Sequence, residues 1–187
     1  MKLASCFCLL ATLFLTPSSF AAESWWLRTV FNSEPTSPSA ESLIHDAELF
    51  DCGEQEGTLL CSDQTQYYDL NVFVELELKQ GTVSTTRFSM PYTSLNDTKA
   101  QLYLRKDGLH LNTVEVDGAS FDVQQELEKP KKRGATPDSV DKALITFINS
   151  AASGNKSMVW RWPENSQATV FMTKRNDEIV IELTREK

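Results

Sequence analysis

The residues from Tyr68 to Lys79 alternate strictly between two classes of position, and this pattern constrains the fold more than any other stretch of the chain. One set of positions is aliphatic throughout: Leu70, Val72, Val74, Leu76 and Leu78. The positions between them are mostly polar: Asn71, Phe73, Glu75, Glu77 and Lys79. Successive side chains of a strand point to opposite faces, so this period of two predicts a strand with one buried face and one mostly wet face.

Turn residues separate this strand from further strand-like segments. Gln80-Gly81 predicts a turn into a second strand over Thr82 to Met90, and Pro91 ends that strand because proline has no N–H to donate to a ladder. Asp117-Gly118 predicts another turn. We expect further strands over the following segments: Ala100–Arg105 and Leu109–Val116, paired as a hairpin, then Phe121–Leu127, Lys156–Trp162, Ala168–Lys174 and Glu178–Thr184.

The segment before Tyr68 allows more than one reading. Ser24 to Phe31 is largely apolar and is expected to form an edge strand or a short docking segment. From Ser39 to Phe50 the apolar positions fall at helical spacing, which predicts a short helix. A strand over Ala47 to Cys52 is the alternative for the end of that segment.

A helix is predicted after the basic run Lys129–Arg133. Thr136 suits its N-cap, Pro137 its first position, and the acidic residues that follow complement the helix dipole. Its apolar stripe consists of Val140, Ala143, Leu144, Phe147, Ile148 and Ala151. The fold class is therefore α+β: a mainly antiparallel sheet of hairpins, curved or barrel-like, with one principal amphipathic helix packed on it.

Residues Met1–Ala21 have the organisation of a cleavable signal peptide. Lys2 provides the positive start, Leu3 to Leu15 the apolar stretch, and Ser19-Phe20-Ala21 the small-residue cleavage pattern. The apolar stretch is shorter than the about 20 residues that span a bilayer, and no later stretch is long enough either. We therefore expect a signal peptide over 1–21 and one exported domain over 22–187, periplasmic or secreted, with no integral membrane span.

Export also bears on whether the cysteines form a disulfide. Cys6 and Cys8 lie within the signal segment, which leaves Cys52 and Cys61 in the mature chain. Two lone cysteines in an oxidising compartment normally pair. The predicted disulfide closes a short loop, for which the chain-entropy model gives about 2.7 kcal/mol of stabilisation.

The chain is acidic, with a net charge of −8 that becomes −9 when the signal segment and its one lysine are removed. Phosphate contacts require clustered lysine and arginine, so this charge argues against nucleic acid as a partner. It argues equally against adhesion to anionic lipid. A basic partner protein is favoured, because it would be attracted over long range.

Motifs for catalysis, metal binding and cofactor binding are missing from the sequence. His45 and Glu48 have the spacing of half a metal site on a helix, but no further ligand is apparent, and His110 has no nucleophile motif beside it. No phosphate-cradling or dinucleotide-binding motif occurs, so no cofactor is expected. Glu75 and Glu77 share a strand face roughly 7 Å apart, which is within the range of glycosidase carboxylate pairs.

The tryptophans are the candidate binding residues. Trp160 and Trp162 share one face of a predicted strand, where we favour a core position over a binding role. Trp25 and Trp26 are adjacent, so on a strand only one of them would face inward. Exposed tryptophans are typical of interaction hot spots and of surfaces that stack on sugars.

These observations favour a non-enzymatic exported protein that works by binding another exported protein, as an inhibitor or an immunity-type partner. The first alternative is a hydrolase of cell-wall or carbohydrate substrates that uses Glu75, Glu77, Asp117 or His110. If so, these groups should converge in one pocket beside tryptophan faces. The second alternative is a structural or assembly component of the envelope, which would show an unpaired edge strand or an exposed apolar patch.

Overall fold

The computed structural model describes residues 24–34, 36, 38–128, 137–149 and 155–185. The predicted signal peptide and the basic run Lys129–Arg133 lie outside these residues. The helices are α1 (Trp25–Val30), α2 (Glu41–Ile44), α3 (Ser94–Lys106), α4 (Val123–Glu128) and α5 (Pro137–Asn149). The strands are β1 (Leu49–Asp51), β2 (Leu59–Ser62), β3 (Thr65–Tyr67), β4 (Leu70–Lys79), β5 (Thr82–Pro91), β6 (His110–Val116), β7 (Ala119–Asp122), β8 (Lys156–Trp162), β9 (Asn165–Arg175) and β10 (Glu178–Arg185).

The strands form one antiparallel sheet in the order β1-β2-β4-β5-β10-β9-β8-β6-β7, with β3 paired to β4 beside this path. The predicted α+β class with a mainly antiparallel sheet is confirmed. The barrel-like alternative is not, because β1 and β7 end the sheet as separate edges and the sheet is not closed. Both edge strands are short, which limits the backbone they offer for pairing with another chain.

One face of the sheet, here called the inner face, carries the hydrophobic core. A single cross-strand row shows this, because each of its residues is at most 2% exposed: Val74, Phe88, Ile181, Met172, Met158 and Val114. The alternation predicted for Leu70 to Lys79 is confirmed in β4, where every aliphatic position is buried. The predicted strands that became β5, β8, β9 and β10 are confirmed as well.

The segment predicted as an edge strand or docking segment, Ser24 to Phe31, contains helix α1 instead of a strand. Trp26, Leu27 and Val30 are buried, and Phe31 follows them into the core. These positions have the i, i+1, i+4 and i+5 spacing of one helix face, and a strand could not bury them all. The Thr86 hydroxyl on the inner face donates to the Val30 carbonyl oxygen at 3.2 Å, which holds α1 against the sheet.

The predicted hairpin around Lys106 to Gly108 is wrong, because Ala100–Arg105 belongs to helix α3. Thr93 caps this helix by accepting a hydrogen bond from the Asn96 N–H, and only Ala100 and Leu104 are buried along it. The strand predicted from Phe121 to Leu127 is also too long. It ends at Asp122, whose carboxylate accepts a hydrogen bond from the Gln125 N–H and begins helix α4.

The amphipathic helix predicted after the basic run is confirmed as α5. Val140 is buried, and Leu144, Phe147 and Ile148 are partly buried against the core. The predicted cap Thr136 and the last stripe position Ala151 lie outside the described residues. The segment from Ser39 to Phe50 contains both expected elements, since α2 covers Glu41–Ile44 and β1 begins at Leu49.

Cys52 and Cys61 form a disulfide, with their Cα atoms 5.9 Å apart. Cys61 lies opposite Phe50 in the β1–β2 pair, so the bond fastens the edge strand β1 to β2. The carboxylate of Asp51 accepts hydrogen bonds from the Gly53 and Gly57 N–H groups and orders the loop between the cysteines. These hydrogen bonds lower the pKa of Asp51.

A polar cluster around Asp107 joins α1, the β3–β4 turn and the end of α3. The carboxylate of Asp107 accepts hydrogen bonds from the hydroxyls of Tyr67 and Tyr68 and from Arg28 Nη1 at 3.1 Å. Burial, together with the negative charge of Asp107, raises the pKa of Tyr67 far above its ordinary value, so its hydroxyl stays protonated and donates. The Asp107 backbone oxygen also accepts from Trp162 Nε1 at 2.9 Å, which ties the cluster to β8.

Candidate functional site

The second face of the sheet, here called the outer face, carries side chains that point away from the core. A cross-strand row through its middle contains Glu75, Arg87, Glu182, Phe171 and Val159. None of these side chains is fully buried, whereas α1 and α3 pack on the inner face. Within the described residues the outer face therefore forms a broad surface without a covering helix.

An arginine between two glutamates forms the centre of this surface. Arg87 on β5 donates to Glu75 on β4 through Nη1 at 2.7 Å. It also donates to Glu182 on β10 through Nε at 2.9 Å and Nη2 at 2.8 Å. The hydrogen bonds to Glu182 and then to Glu75 raise the pKa of Arg87. The guanidinium is thus held in one orientation across three strands, with fixed charges around it.

Two exposed phenylalanines flank the charged centre. Phe73 on β4 is 49% exposed and Phe171 on β9 is 39% exposed. Phe171, Val180 and Thr173 line a shallow depression of about 550 Å³ that extends to Arg87 and Glu182. Exposed aromatic rings beside oriented charges are typical of a surface that binds another macromolecule.

A second depression of about 480 Å³ lies between the disulfide loop and the sheet, and Glu75 and Glu77 both line it. The ammonium group of Lys79 lies 3.1 Å from Glu77 Oε1, and the Thr85 hydroxyl donates to Oε2 at 2.9 Å. The contact with Lys79 and then that with Thr85 hold the pKa of Glu77 below its ordinary 4.5. A general acid needs a raised pKa, so this environment is the opposite of what a glycosidase acid requires.

Glu75 and Glu77 share one depression, but Asp117 and His110, the other groups named for a hydrolase, do not join them there. Asp117 lines a different depression, beside Lys156 and Arg175. His110 is exposed on β6, in the cross-strand row that begins with Glu77 on β4. Five strand-to-strand steps separate His110 from Glu77, a path of about 24 Å along the sheet at ~4.8 Å per step. The convergence that a hydrolase would require is not found in the described residues.

The tryptophans lie apart from the outer face. Trp160 and Trp162 are 0% and 6% exposed on the inner side of β8, in the core position favoured for them. Trp26 is buried and donates from Nε1 to Glu48 at 2.9 Å. Trp25 is 56% exposed, with Nε1 donating to Asp46 at 2.7 Å, so it is the tryptophan of this set that a ligand could reach.

His45 and Glu48 do not lie on one face of a helix, because α2 ends before both of them. His45 is exposed and follows the last residue of α2, while Glu48 accepts the hydrogen bond of Trp26. Within the described ranges no group of three or more histidine, cysteine or acidic residues is arranged to hold a metal ion.

Sequence reasoning missed the residues that organise the outer face, namely Arg87, Glu182, Phe73 and Phe171. Each of them lies within a predicted strand, and for Phe73 the alternation also indicated the less buried side. The missing information was the order of the strands, which brings Arg87 beside Glu182 although 95 positions separate them.

In the described part of the chain, no helix combines the length and apolarity needed to cross a lipid bilayer. No family model and no solved structure matches the chain. It is similar to a cellulosome-anchoring protein of Acetivibrio thermocellus, with 28% identity over 103 residues. The aligned part is 54% of this chain but 22% of that protein, so the chain corresponds to a small share of the protein it resembles.

Proposed function

We propose that this chain is an exported, non-catalytic binding protein whose outer sheet face holds a protein partner. The observation that carries the proposal is the central row of that face. An arginine fixed by two carboxylates lies in the same cross-strand row as the exposed ring of Phe171, and no helix of the described residues covers this broad sheet surface. Such a surface offers apolar contact and oriented charge together, which protein interfaces use for affinity and for choice of partner.

Three further observations support export and a binding role. The chain begins with a segment of signal-peptide character, and Cys52 and Cys61 form a disulfide of the kind that persists outside the cytoplasm. The partial likeness is to a protein named for anchoring, which suggests a binding or scaffold role outside the cell. We therefore place the chain in the periplasm or among secreted proteins, with a cleaved signal peptide over 1–21 and an exported domain over 22–187.

The proposed partner is another exported protein with a basic surface, for which this chain acts as an inhibitor or immunity-type partner. The net charge of −8, which becomes −9 without residues 1–21, favours approach of a basic protein over long range. Glu75, Glu77 and Glu182 are exposed enough on the outer face to contribute to that attraction.

Site-specific photo-cross-linking tests the proposal. A photoreactive amino acid replaces Phe171 on the outer face or, as the matched control, Leu102, which is 55% exposed on α3. Both variants are expressed in the source organism, and cross-linked proteins are identified by mass spectrometry. We expect one exported protein to be captured at position 171 and not at position 102.

The affinity of the captured protein is then measured for the purified unaltered chain and for the Phe171→Ser and Leu102→Ser variants. We expect Phe171→Ser to weaken binding by about tenfold, the equivalent of 1.4 kcal/mol. Leu102→Ser should bind as the unaltered chain does. Capture at both positions, capture at neither, or equal affinity of the two serine variants would contradict the proposal.

A further inference from the structure

A further depression, distinct from the three described above, lies at the corner of the sheet where β1, β3 and the start of β4 meet. It has a volume of about 540 Å³ and is here called the amide corner. Its lining includes Phe50, Asp63, Gln64, Gln66 and Asn71. The size is within the about 300–1,000 Å³ that is usual for small-molecule sites.

Strand register makes the amides of this corner neighbours. Gln66 on β3 lies directly opposite Asn71 on β4. Tyr67 and Leu70, which form the next pair in the ladder, are buried, so Gln66 and Asn71 face outward. Side chains opposite one another in an antiparallel pair have Cβ atoms about 5 Å apart. Two amide groups are thus presented side by side on a rigid ladder.

These polar side chains are not used by the fold. Within the described residues, the side chains of Asp63, Gln64, Gln66 and Asn71 form no hydrogen bond or ion pair with the protein. Phe50 on β1 contributes a ring that is 48% exposed at the same depression. The disulfide partner Cys61 lies opposite Phe50, which fixes the strand that carries the ring.

The chemistry of this lining matches a sugar better than other ligands. Each amide both donates and accepts hydrogen bonds, as the neighbouring hydroxyls of a sugar ring do. An exposed aromatic ring offers an apolar surface for the C–H face of that ring. A peptide would need apolar pockets for its side chains, but beside Phe50 the apolar lining residues are the small Ala47 and the buried Leu49.

The charge of the lining favours neutral over acidic sugars. Glu48 and Asp63 contribute carboxylates, and among the described residues no lysine or arginine lines the depression. An acidic sugar would therefore meet like charge without a compensating cation. We propose that the amide corner binds a neutral saccharide, with Phe50 as the stacking surface and Gln64, Gln66 and Asn71 as the hydrogen-bonding groups. This site goes beyond the proposed protein-binding role and does not depend on it.

A nuclear magnetic resonance titration tests the proposal on the disulfide-bonded mature chain. The probes are neutral oligosaccharides of glucose, xylose, mannose and N-acetylglucosamine, with oligogalacturonate as the acidic probe, all at millimolar concentration. We expect at least one neutral probe to shift the side-chain amide signals of Gln64, Gln66 and Asn71 in a saturable manner. Oligogalacturonate should leave these signals in place. Absence of shifts with every neutral probe, or a preference for the acidic one, would overturn the proposal.

Substitutions then assign the binding to this corner. Phe50→Ala and Gln66→Ala should each lower the affinity for the neutral saccharide by about tenfold. The control is Phe171→Ala, which removes an exposed ring from the centre of the outer face and should bind the saccharide as the unaltered chain does. The backbone amide spectrum of each variant reports whether it is folded. Unchanged affinity in folded Phe50→Ala and Gln66→Ala would show that the saccharide binds elsewhere. Since Phe171 is the residue that tests the protein partner, the two proposals can fail separately.

Discussion

Arg87 and Glu182 lie directly opposite each other on β5 and β10, and the guanidinium donates two hydrogen bonds to one carboxylate oxygen of Glu182. The same guanidinium donates to Glu75 on the other side. Like charges on Glu75 and Glu182 are thus separated by the cation that both of them contact. The charge pattern at the middle of the outer face depends on the pairing of β5 with both β4 and β10.

Replacing Arg87 with methionine should lower the free energy of unfolding by about 1 kcal/mol, because both glutamates lose their cation on a half-exposed surface. Urea unfolding at neutral pH measures the change. The matched control is Arg175→Met, since Arg175 is on the same face and forms no ion pair within the described ranges. That variant should unfold as the unaltered chain does. Equal losses in the two variants would show that the contacts of Arg87 add no stability.

Substitution of Asp107 should lower the free energy of unfolding more than substitution of most other polar residues. Its side chain is 10% exposed, and it accepts the hydrogen bond of Tyr67, which is 2% exposed. Asp107→Ala leaves that buried hydroxyl without an acceptor, so we expect a loss of about 2 kcal/mol in the free energy of unfolding.

A double-mutant cycle with Tyr67→Phe separates this contact from the others of Asp107. When the hydroxyl of Tyr67 is already absent, Asp107→Ala should cost about 1 kcal/mol less than it does in the unaltered chain. Chemical unfolding of the four proteins gives the coupling energy. Strict additivity of the two substitutions would mean that the hydrogen bond does not stabilise the cluster.

The disulfide should stabilise the fold because it closes a loop and so lowers the conformational entropy of the unfolded chain. Replacing both Cys52 and Cys61 with serine should lower the free energy of unfolding by about 2.7 kcal/mol, on the chain-entropy model. Thermal and urea unfolding of the oxidised chain and the double variant measure the difference. A reducing agent should destabilise the unaltered chain and leave the double variant unaffected. If the reducing agent also destabilises the double variant, its effect on the unaltered chain cannot be attributed to the disulfide.

Local periodicity was sufficient to predict the core of the sheet. In β4 all five aliphatic positions alternate with exposed or half-exposed ones, and the structure buries each of them. The hairpin β9–β10 was likewise predictable, because both strands alternate and a turn at Arg175-Asn176-Asp177 separates them. In these strands successive side chains point to opposite faces, so whether a residue is buried depends on its place in the alternation. This alternation can be recognised from residues that are adjacent in the sequence.

Helix α3 could not be predicted from periodicity, for a reason that its exposed residues show. Leu95 and Leu102 are 62% and 55% exposed, while Ala100 and Leu104 are fully buried. Apolar residues therefore occur around the helix and do not mark one stripe. The capping residue Thr93 and the basic last turn were the signals that would have identified it.

The outer face could not be assembled from sequence because its rows cross strands that are distant in the chain. Glu75 and Arg87 belong to one hairpin, but Glu182 and Phe171 join them only through the pairing of β5 with β10. That pairing depends on packing of the inner face, where Phe88 lies opposite Ile181. The charged surface is therefore a consequence of how the buried surface packs.

Glu77 provides a prediction of pH dependence. Lys79 and, to a smaller extent, Thr85 stabilise its carboxylate and lower its pKa in the folded chain. A carboxyl whose pKa is lower in the folded than in the unfolded state stabilises the fold above its unfolded pKa. This contribution is lost as the pH falls from the ordinary value of 4.5 through the lower folded value.

Lys79→Met should therefore raise the pKa of Glu77 toward its ordinary value, and Thr85→Val should raise it less, because Lys79 has the larger effect. The side-chain carboxyl carbon of Glu77, followed by nuclear magnetic resonance from neutral to acidic pH, reports the pKa directly. The control is Lys142→Met, an exposed substitution on α5 that should leave the titration of Glu77 unchanged. Lys79→Met should also lose less stability on acidification than the unaltered chain, because less of its stability depends on an ionised Glu77. An unchanged pKa in Lys79→Met would mean that the ion pair is not maintained in solution.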